Sequence, residues 1–401
     1  MAKRKIQKPT RFERMYKVWD YLRKNTDRRH PTSIAKMRKD EDINAYIGDK
    51  ETINRLLKDM ANIMNLEDGG SDYKPEAEWR LYFDDFKKFY GDKERYERDD
   101  SDEDDSYIAN VMRIKNLYYN RTFSEKEVDS IIEGIMATRT LDSKSAQELV
   151  RKVEDNMTTV FYKRTPRHIC KVQEPELADR EMLKDNLAII QKAIDDNVRI
   201  QFRFNGYSYE KKLEPVREEA DELSPYYIVA SGGKYYLLAA KEYEGYKPNM
   251  SIWRIDLMTD IDIPGRNDRL HIKGIPRIPK KNVSNLPEKW SEDFQLKHLN
   301  MSFDKPVPVT LRIKSEKCED NPKKRVRPGY TFLHDWFGDS FTYIRTETKP
   351  PYDDIVRVEC SPYGMAHWAL QYSELVEVLE PESLREDIKS KIKALNEKYS
   401  L

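Results

Sequence analysis

The stretch GGKYYLLAAK at residues 232–241 places the strongest constraint on the fold. Successive residues of a β-strand point to opposite faces, so each face of this strand carries one tyrosine, one leucine and one alanine. Neither face is polar enough to be a solvent face. The sequence therefore predicts a short strand, entered through two glycines, that is covered on both sides by core or by a bound molecule.

The neighbouring segments predict further antiparallel strands. Ile200, Phe202 and Phe204 alternate with polar residues, and Asn205-Gly206 is a strong hairpin signal because both turn positions favour positive φ. Segments at 226–230 and 250–263 read as strands as well. Five short strands of this kind are enough for a small closed or nearly closed barrel, preceded by an amphipathic helix over about residues 179–196.

The first 65 residues are basic, with 17 Lys and Arg against 9 Asp and Glu, although charges balance over the whole chain at 72 of each sign. Caps at Thr32 or Ser33 and at Asp49 indicate three helices, the last two joined by a tight connection. This order is typical of a helix-turn-helix. The predicted buried stripe of the first helix is Phe12, Met15, Tyr16, Trp19 and Leu22.

The outward face of the third helix is predicted to contact DNA. Asparagine and arginine are suited to adenine and guanine edges in the major groove, and lysines to phosphates. Three-helix stripes also occur in proteins that never bind DNA, but the net charge of +8 in residues 1–65 favours DNA binding. Residues 66–90 contain a turn and two short aromatic segments that would suit a wing. The predicted DNA-binding residues are Lys50, Thr52, Asn54, Arg55 and Lys58.

The middle of the chain predicts a linker and a helical connector. The acidic run ERDDSDEDD at 97–105 is typical of a solvated linker. Ser124 and Glu127 have capping-box spacing and begin the first of two amphipathic helices, which extend to about residue 157.

The C-terminal hundred residues predict a small α+β domain. Residues 306–315, 340–348 and 354–361 alternate as strands, and 365–372 reads as a short helix. A strand at LVEVL and a last helix with Pro381 in its first turn follow. This order suggests a sandwich that is ferredoxin-like in outline.

Enzyme and cofactor motifs are absent from the sequence. It contains no phosphate-binding loop, nucleophile elbow, zinc-protease or dinucleotide-binding pattern. The six histidines have no ligand spacing, and the three cysteines form no C-x-x-C pair. We therefore expect no catalytic residues, no metal and no cofactor. No apolar run approaches the length of a membrane span, and the basic start lacks a signal-peptide core, so we expect a cytoplasmic protein.

The barrel strands resemble the WYL domain. In that family an aromatic–Tyr–Leu triplet on one strand faces a later Arg-x-Asp-Arg strand. Tyr235, Tyr236 and Leu237 match the triplet, while Arg254 and Asp256 match the start of the second motif. The chain departs from the pattern at position 257, where leucine replaces the usual second arginine. Other segments resemble, in the family's order, its winged helix-turn-helix, helical connector and WCX-like C-terminal extension.

The resemblance implies a multidomain α+β transcriptional regulator of bacterial or phage type. Its domains would be a winged helix-turn-helix at 1–90, a linker and connector at 91–178, a small Sm-like barrel at 179–300 and a ferredoxin-like extension at 301–401. We expect a homodimer that binds a duplex operator, with no membrane association. The barrel would sense an anionic, nucleotide or nucleic-acid-like ligand. Its expected ligand-binding residues are Arg203, Tyr235, Tyr236, Arg254 and Asp256.

Three alternatives remain open from the sequence. The barrel face is an ordinary core in the first, with Arg254 paired to Asp256 or another carboxylate. In the second, the chain is an accessory protein that binds single-stranded RNA or DNA through the barrel, for example in phage defence or a CRISPR-linked system. In the third, it is a structural scaffold.

Overall fold

The computed structural model of the 401-residue chain describes residues 9–67, 72–87, 114–138, 141–164, 180–315, 317–318, 321–325 and 329–399. The chain divides into two compact units, Met1–Pro175 and Glu176–Leu401. The acidic run at 97–105, predicted to be a linker, lies outside the described residues.

The first unit is mainly helical. α4 begins at a tight turn, where Gly48 has a φ of 69° and the Asp49 side chain accepts a hydrogen bond from the Thr52 amide. The predicted tight connection and cap are confirmed, but the predicted second helix is divided into α2 and α3. The helices are α1 (Arg11–Asn25), α2 (Ile34–Met37), α3 (Glu41–Ile47), α4 (Lys50–Asn65), α5 (Asp84–Phe86), α6 (Glu125–Ala137) and α7 (Ser143–Met157).

The buried side of α1 differs from the predicted stripe. Val18 and Leu22 are fully buried, whereas Phe12 and Tyr16 are 77% and 52% exposed. Met15 packs on the core, so Phe12 and Tyr16 lie beside the buried face of α1, and the prediction is wrong for those two positions.

The first unit also contains two short strands. β1 (Leu81–Tyr82) pairs antiparallel with β2 (Tyr118–Tyr119), and Leu117 forms a further antiparallel bridge to Thr32. The Asn65 side chain, at the end of α4, donates to the Leu81 carbonyl at 2.7 Å and accepts from the Leu81 amide at 3.1 Å. The predicted aromatic segment thus supplies one strand, but its partner follows the acidic run.

The connector is the predicted pair of amphipathic helices. Ser124 and Glu127 form a complete capping box at the start of α6, which confirms that prediction. α6 and α7 share a small apolar core of their own, consisting of Val128, Ile132, Val150 and Val153.

The second unit begins with a helix and a six-stranded antiparallel sheet. The strands lie in the order β4-β3-β5-β6-β7, and β8 pairs with β3. A short 3-10 turn at Ile255–Leu257 joins β7 to β8, so the sheet curls into a half-barrel. The elements are α8 (Arg180–Asp196), β3 (Ile200–Tyr207), β4 (Leu213–Pro215), β5 (Asp221–Ser231), β6 (Lys234–Ala240), β7 (Met250–Arg254) and β8 (Met258–Asp262).

The prediction that the chain turns at Asn205-Gly206 is wrong. Both residues continue β3 and pair with β4, and the chain turns later, where Lys211 has a φ of 64°. Asn205 is buried, and its side-chain amide donates to the Leu257 carbonyl and to the Thr259 hydroxyl, each at 3.0 Å. These distant contacts hold the residue in the strand.

β6, which lies within the stretch at residues 232–241, is covered by protein on both faces. Leu237 and Ala239 pack in the core that α8 shares with the sheet. On the other face, Leu238 packs against Phe294 and Met301, from the segment that follows the barrel. The prediction that β6 is buried on both sides is confirmed.

The rest of the second unit contains the predicted strands and the two predicted helices, whereas the helix at Thr331–Phe337 was not predicted. Its four-stranded antiparallel sheet has the order β12-β13-β9-β14, while β10 and β11 form a separate pair. The largest buried side chain of its core is Trp368. The elements are α9 (Phe294–Lys297), β9 (Val307–Ile313), β10 (Lys317–Cys318), β11 (Asn321–Arg325), α10 (Thr331–Phe337), β12 (Thr342–Thr346), β13 (Asp354–Cys360), α11 (Pro362–Gln371), β14 (Val376–Glu380) and α12 (Glu382–Tyr399).

Candidate nucleic-acid and ligand sites

The first turn and a half of α4 presents polar side chains to solvent. Lys50, Thr52 and Arg55 are exposed, as predicted. The Arg55 guanidinium lies 2.7 Å from the Glu51 carboxylate, an exposed pair one helical turn apart. Such a pair is weak in water, so Arg55 can exchange it for another acceptor.

Two of the five predicted DNA-binding residues are buried. Asn54 is 0% exposed and Lys58 is 6% exposed, so the prediction that they lie on the outward face of α4 is wrong. They are one turn apart and adjoin Ile53 and Leu57 on the helix surface, which are also buried. The buried arc of α4 is therefore wider than its apolar stripe.

The barrel places Tyr236, Arg254 and Asp256 together. Tyr236 on β6 is the register partner of Arg254 on β7. The Arg254 guanidinium donates to both carboxylate oxygens of Asp256, with Nε 3.1 Å from Oδ1. Asp256 is 1% exposed, so a buried carboxylate holds a partly exposed arginine beside a tyrosine ring.

The electrostatics of this group favour a charged arginine. Burial opposes the charge of Arg254, but the hydrogen bonds and charge of Asp256 outweigh it and raise the pKa of the guanidinium. Burial also raises the pKa of Tyr236, although the nearby Arg254 partly offsets that effect. The group thus combines a permanent cation with a neutral aromatic hydroxyl, which suits an anionic ligand that carries a ring.

The other two predicted ligand residues lie apart from this group. Tyr235 points to the opposite face of β6 and packs against the core shared with α8. Arg203 on β3 lies 3.5 Å from the carboxylate of Asp260, and both side chains are largely exposed.

Sequence reasoning missed several residues around the barrel. Tyr207, at the end of β3, interacts electrostatically with Arg254. On the surface after the barrel, the ammonium group of Lys280 lies 4.1 Å from the ring centroid of Tyr227, and the Trp290 ring is 5.8 Å from that of Tyr227. The sequence did contain a signal for this surface, because Trp290 and Lys280 lie in an otherwise polar segment.

In the part of the chain that the structure describes, no three histidine, cysteine or acidic side chains gather in a way that would hold a metal ion. None of the helices described combines the length and apolar character that crossing a membrane requires.

Two solved structures are similar to the chain. The proteasome accessory factor B/C (PafBC) of Arthrobacter aurescens is 16% identical, with 72% of this chain and 40% of that chain covered and a TM-score of 0.22. A CRISPR Cas-related protein is 13% identical, with 74% and 77% covered and a TM-score of 0.30. This chain therefore spans well under half of the first protein. At these TM-scores neither likeness carries a conclusion about this chain.

The family comparison is more informative. No curated protein matches the chain. The family model of the WCX domain matches residues 305–395, which contain the four-stranded sheet and most of the last helix. This is the segment that resembled the C-terminal extension of WYL proteins. The match confirms the resemblance over this segment, which is a WCX domain.

Proposed function

We propose that the chain is a transcriptional regulator without catalytic activity that binds duplex DNA through its first unit. The observation that carries this proposal is the start of α4. It follows a tight turn after α3 and presents Lys50, Thr52 and Arg55 to solvent, within a segment of net charge +8. A helix offered in this way suits the major groove, where arginine reads guanine and lysine contacts phosphate.

The proposed fold assignments agree with this function. The α3–turn–α4 pair together with β1 and β2 supports a winged helix-turn-helix, with the wing interrupted by the acidic insertion. The curled sheet with its 3-10 turn supports an Sm-like barrel. In the last domain, the order β9-α10-β12-β13-α11-β14 supports a ferredoxin-like arrangement.

The proposed ligand site is the group of Tyr236, Arg254 and Asp256, with a nucleotide or nucleic-acid-like anion as ligand. Asp256 occupies Nε and Nη2 of the guanidinium, which leaves Nη1 for an incoming oxyanion. A ligand that binds one arrangement of a homodimer better than another would shift the population that is competent to bind DNA. The ligand acts by its difference in affinity for the two arrangements.

The first test is fluorescence anisotropy of the full chain with duplex oligonucleotides over a series of salt concentrations. Lys50→Ala with Arg55→Ala should weaken duplex binding at least tenfold and lower the salt slope by about 1, for the lost phosphate contact of Lys50. The matched control is Arg269→Ala with Lys393→Ala, which removes two exposed cations from the second unit. Equal affinity of both variants for duplex DNA would overturn the proposal.

A second candidate function is the binding of single strands through the barrel unit. The half-exposed Trp290 beside Tyr227, with Lys280 over the Tyr227 ring, favours this function because bases stack on aromatic rings. Under this alternative, the double variant Tyr236→Ala with Arg254→Ala should weaken single-strand binding, and so should the single variant Trp290→Ala. The α4 variant should not. The same titrations with single-stranded oligonucleotides distinguish the two functions.

A further inference from the structure

The first unit contains a cavity of about 710 Å³ that the proposed function does not use. It lies where three segments meet, namely the turn after α1, the chain between β2 and α6, and the chain after α7. All of its lining residues belong to the first unit. Its volume is within the range of about 300–1,000 Å³ that is typical of small-ligand sites.

One wall of the cavity is a fixed aromatic stack. The rings of His30 and Phe161 are 4.0 Å apart between centroids and inclined by 16°. Asp27 holds the histidine in place, because its carboxylate accepts from His30 Nδ1 at 3.0 Å and from the His30 amide at 2.7 Å. Phe161 is 41% exposed. A planar surface that is already oriented is suited to stacking with a nucleobase.

A second wall carries an arginine whose direct partners are neutral. Arg121 donates from Nη1 to the Thr26 carbonyl at 3.2 Å and from Nη2 to the Thr158 carbonyl at 3.1 Å. Its Nε is buried and has no hydrogen-bond partner among the described residues. Burial lowers the pKa of this guanidinium, and Asp27 only partly opposes that effect. Arg121 thus brings a positive charge into the wall that no directly bonded carboxylate neutralises.

The remaining charges of the lining also favour an anion. Of the three lining carboxylates, Asp27 is engaged by the turn, and Glu127 accepts from the Ser124 amide at 2.8 Å in the capping box. Only Glu125 has no such role in the described contacts. Four further cations line the cavity without forming an ion pair to a described residue: Arg28, Arg29, Lys126 and Lys163.

We propose that this cavity binds a nucleoside phosphate, with the base stacked on the His30–Phe161 pair and the phosphate held by Arg121 and the flanking cations. A duplex would keep its bases out of reach of the stack, whereas a single nucleotide or the end of a single strand presents both a free ring and a phosphate. The binding does not depend on the proposed DNA contact of α4. Because Arg121 bonds to the ends of both α1 and α7, a bound ligand also couples the N-terminal helices to the connector.

The test is isothermal titration calorimetry of the full chain with AMP, adenosine and inorganic phosphate. We expect saturable binding of AMP at one site in the first unit and much weaker binding of adenosine and of phosphate. Phe161→Ala should weaken AMP binding by about tenfold or more, since stacking on an aromatic ring contributes strongly per base. Arg28→Ala with Arg29→Ala should weaken it as well and is independent of the aromatic wall.

The controls are matched within the same unit. Phe12→Ala removes an exposed ring outside the cavity, and Lys36→Ala with Lys39→Ala removes two exposed cations. AMP binding should persist in both controls and in the barrel variant Tyr236→Ala with Arg254→Ala. Displacement of AMP by a 5′-phosphorylated trinucleotide would show that the cavity accepts the end of a single strand. Failure of the trinucleotide to displace AMP would indicate that the cavity binds a free nucleotide.

Four results would overturn the proposal. The first three are the absence of saturable binding for AMP, CMP, GMP and UMP, binding that neither cavity variant weakens, and binding that only the barrel variant abolishes. Inorganic phosphate as tight as AMP would also overturn it, because the stack would then contribute nothing. Loss of duplex binding in the α4 variant has no bearing on these outcomes, so this proposal and the proposed function fail independently.

Discussion

Arg254 and Asp256 form a two-pronged ion pair whose partners differ in exposure, with 30% of the arginine side chain but only 2% of the aspartate side chain exposed. The carboxylate depends on the arginine for its neutralisation, whereas the arginine also faces solvent. An anion that approaches this face therefore meets a guanidinium that is already oriented by two hydrogen bonds.

Removing the exposed partner should destabilise the second unit. Arg254→Met leaves the Asp256 carboxylate buried without its cation, and we expect the free energy of unfolding to fall by about 3 kcal/mol. Arg254→Met with Asp256→Leu should recover part of that loss, because no buried charge then remains. Chemical denaturation measures both. Arg203→Met is the control, since its pair with Asp260 is exposed and should contribute less than about 1 kcal/mol. An equal loss in the control would contradict this interpretation.

The position of β1 should depend on one asparagine. Asn65 is fully buried, accepts from the Arg80 and Leu81 amides and donates to the Leu81 carbonyl. Asn65→Ala leaves these backbone groups without partners, so we expect a loss of about 2–4 kcal/mol in denaturation of the first unit. Asn62→Ala, which removes one half-buried acceptor from Tyr73, should have a smaller effect. Comparable losses would mean that Asn65 does not hold β1 in place.

Cys360 should resist alkylation in the folded chain. It lies in β13 with no exposed surface, and burial raises the pKa of its thiol to about 12. At pH 8 only about one thiol in ten thousand would be ionised, and the thiolate is the nucleophile. Peptide mapping after iodoacetamide treatment should find Cys360 unmodified under native conditions and modified in denaturant. Native labelling at the denatured rate would contradict the burial of this strand.

Stability of the second unit should fall on mild acidification because of His298. Burial lowers the pKa of this histidine from its ordinary value of 6.5, although its hydrogen bond to the Ser302 carbonyl partly offsets the effect. The unfolded chain then binds a proton that the folded chain does not. The stabilisation is therefore complete above a pH of about 6.5 and is lost as the pH falls from that value through the lower pKa of the folded state.

The measurement is the free energy of unfolding between pH values of about 7.5 and 5.5. His298→Gln should reduce the pH dependence in this window, because the titrating group is gone. His271→Gln, at an exposed position, should leave it unchanged. The same slope in all three proteins would exclude His298 as its cause.

Local patterns predicted most of the individual elements. Capping residues such as Ser124 and Asp49 fix helix starts through contacts within four residues, and these starts are where the sequence placed them. The predicted strands after residue 305 were recognisable from local alternation, as at Val356–Cys360, where buried and exposed residues alternate. The burial of β6 on both sides followed from the apolar residues that the alternation places on each of its faces.

Non-local contacts account for the errors. Asn205-Gly206 is locally a turn signal, but its side chain bonds to Leu257 and Thr259, more than fifty residues later, and stays in β3. The partner of β1 could not be found because pairing depends on chain that follows the acidic run. At the candidate sites, burial of Asn54 and Lys58 runs against their polarity, and the helical pattern of α4 gives no sign of it.

β1 pairs with β2 although Leu81 and its partner Tyr119 are far apart in the sequence, and the core residues Phe86 and Ile114 lie on either side of the segment between positions 87 and 114. The entropic penalty of closing a flexible loop grows only with the logarithm of its length, by about 0.6 kcal/mol for each doubling. Segments of very different size can therefore be accommodated at this point with little change in folding stability. Changes in length between positions 87 and 114 should therefore be well tolerated, and relatives are expected to differ in length there.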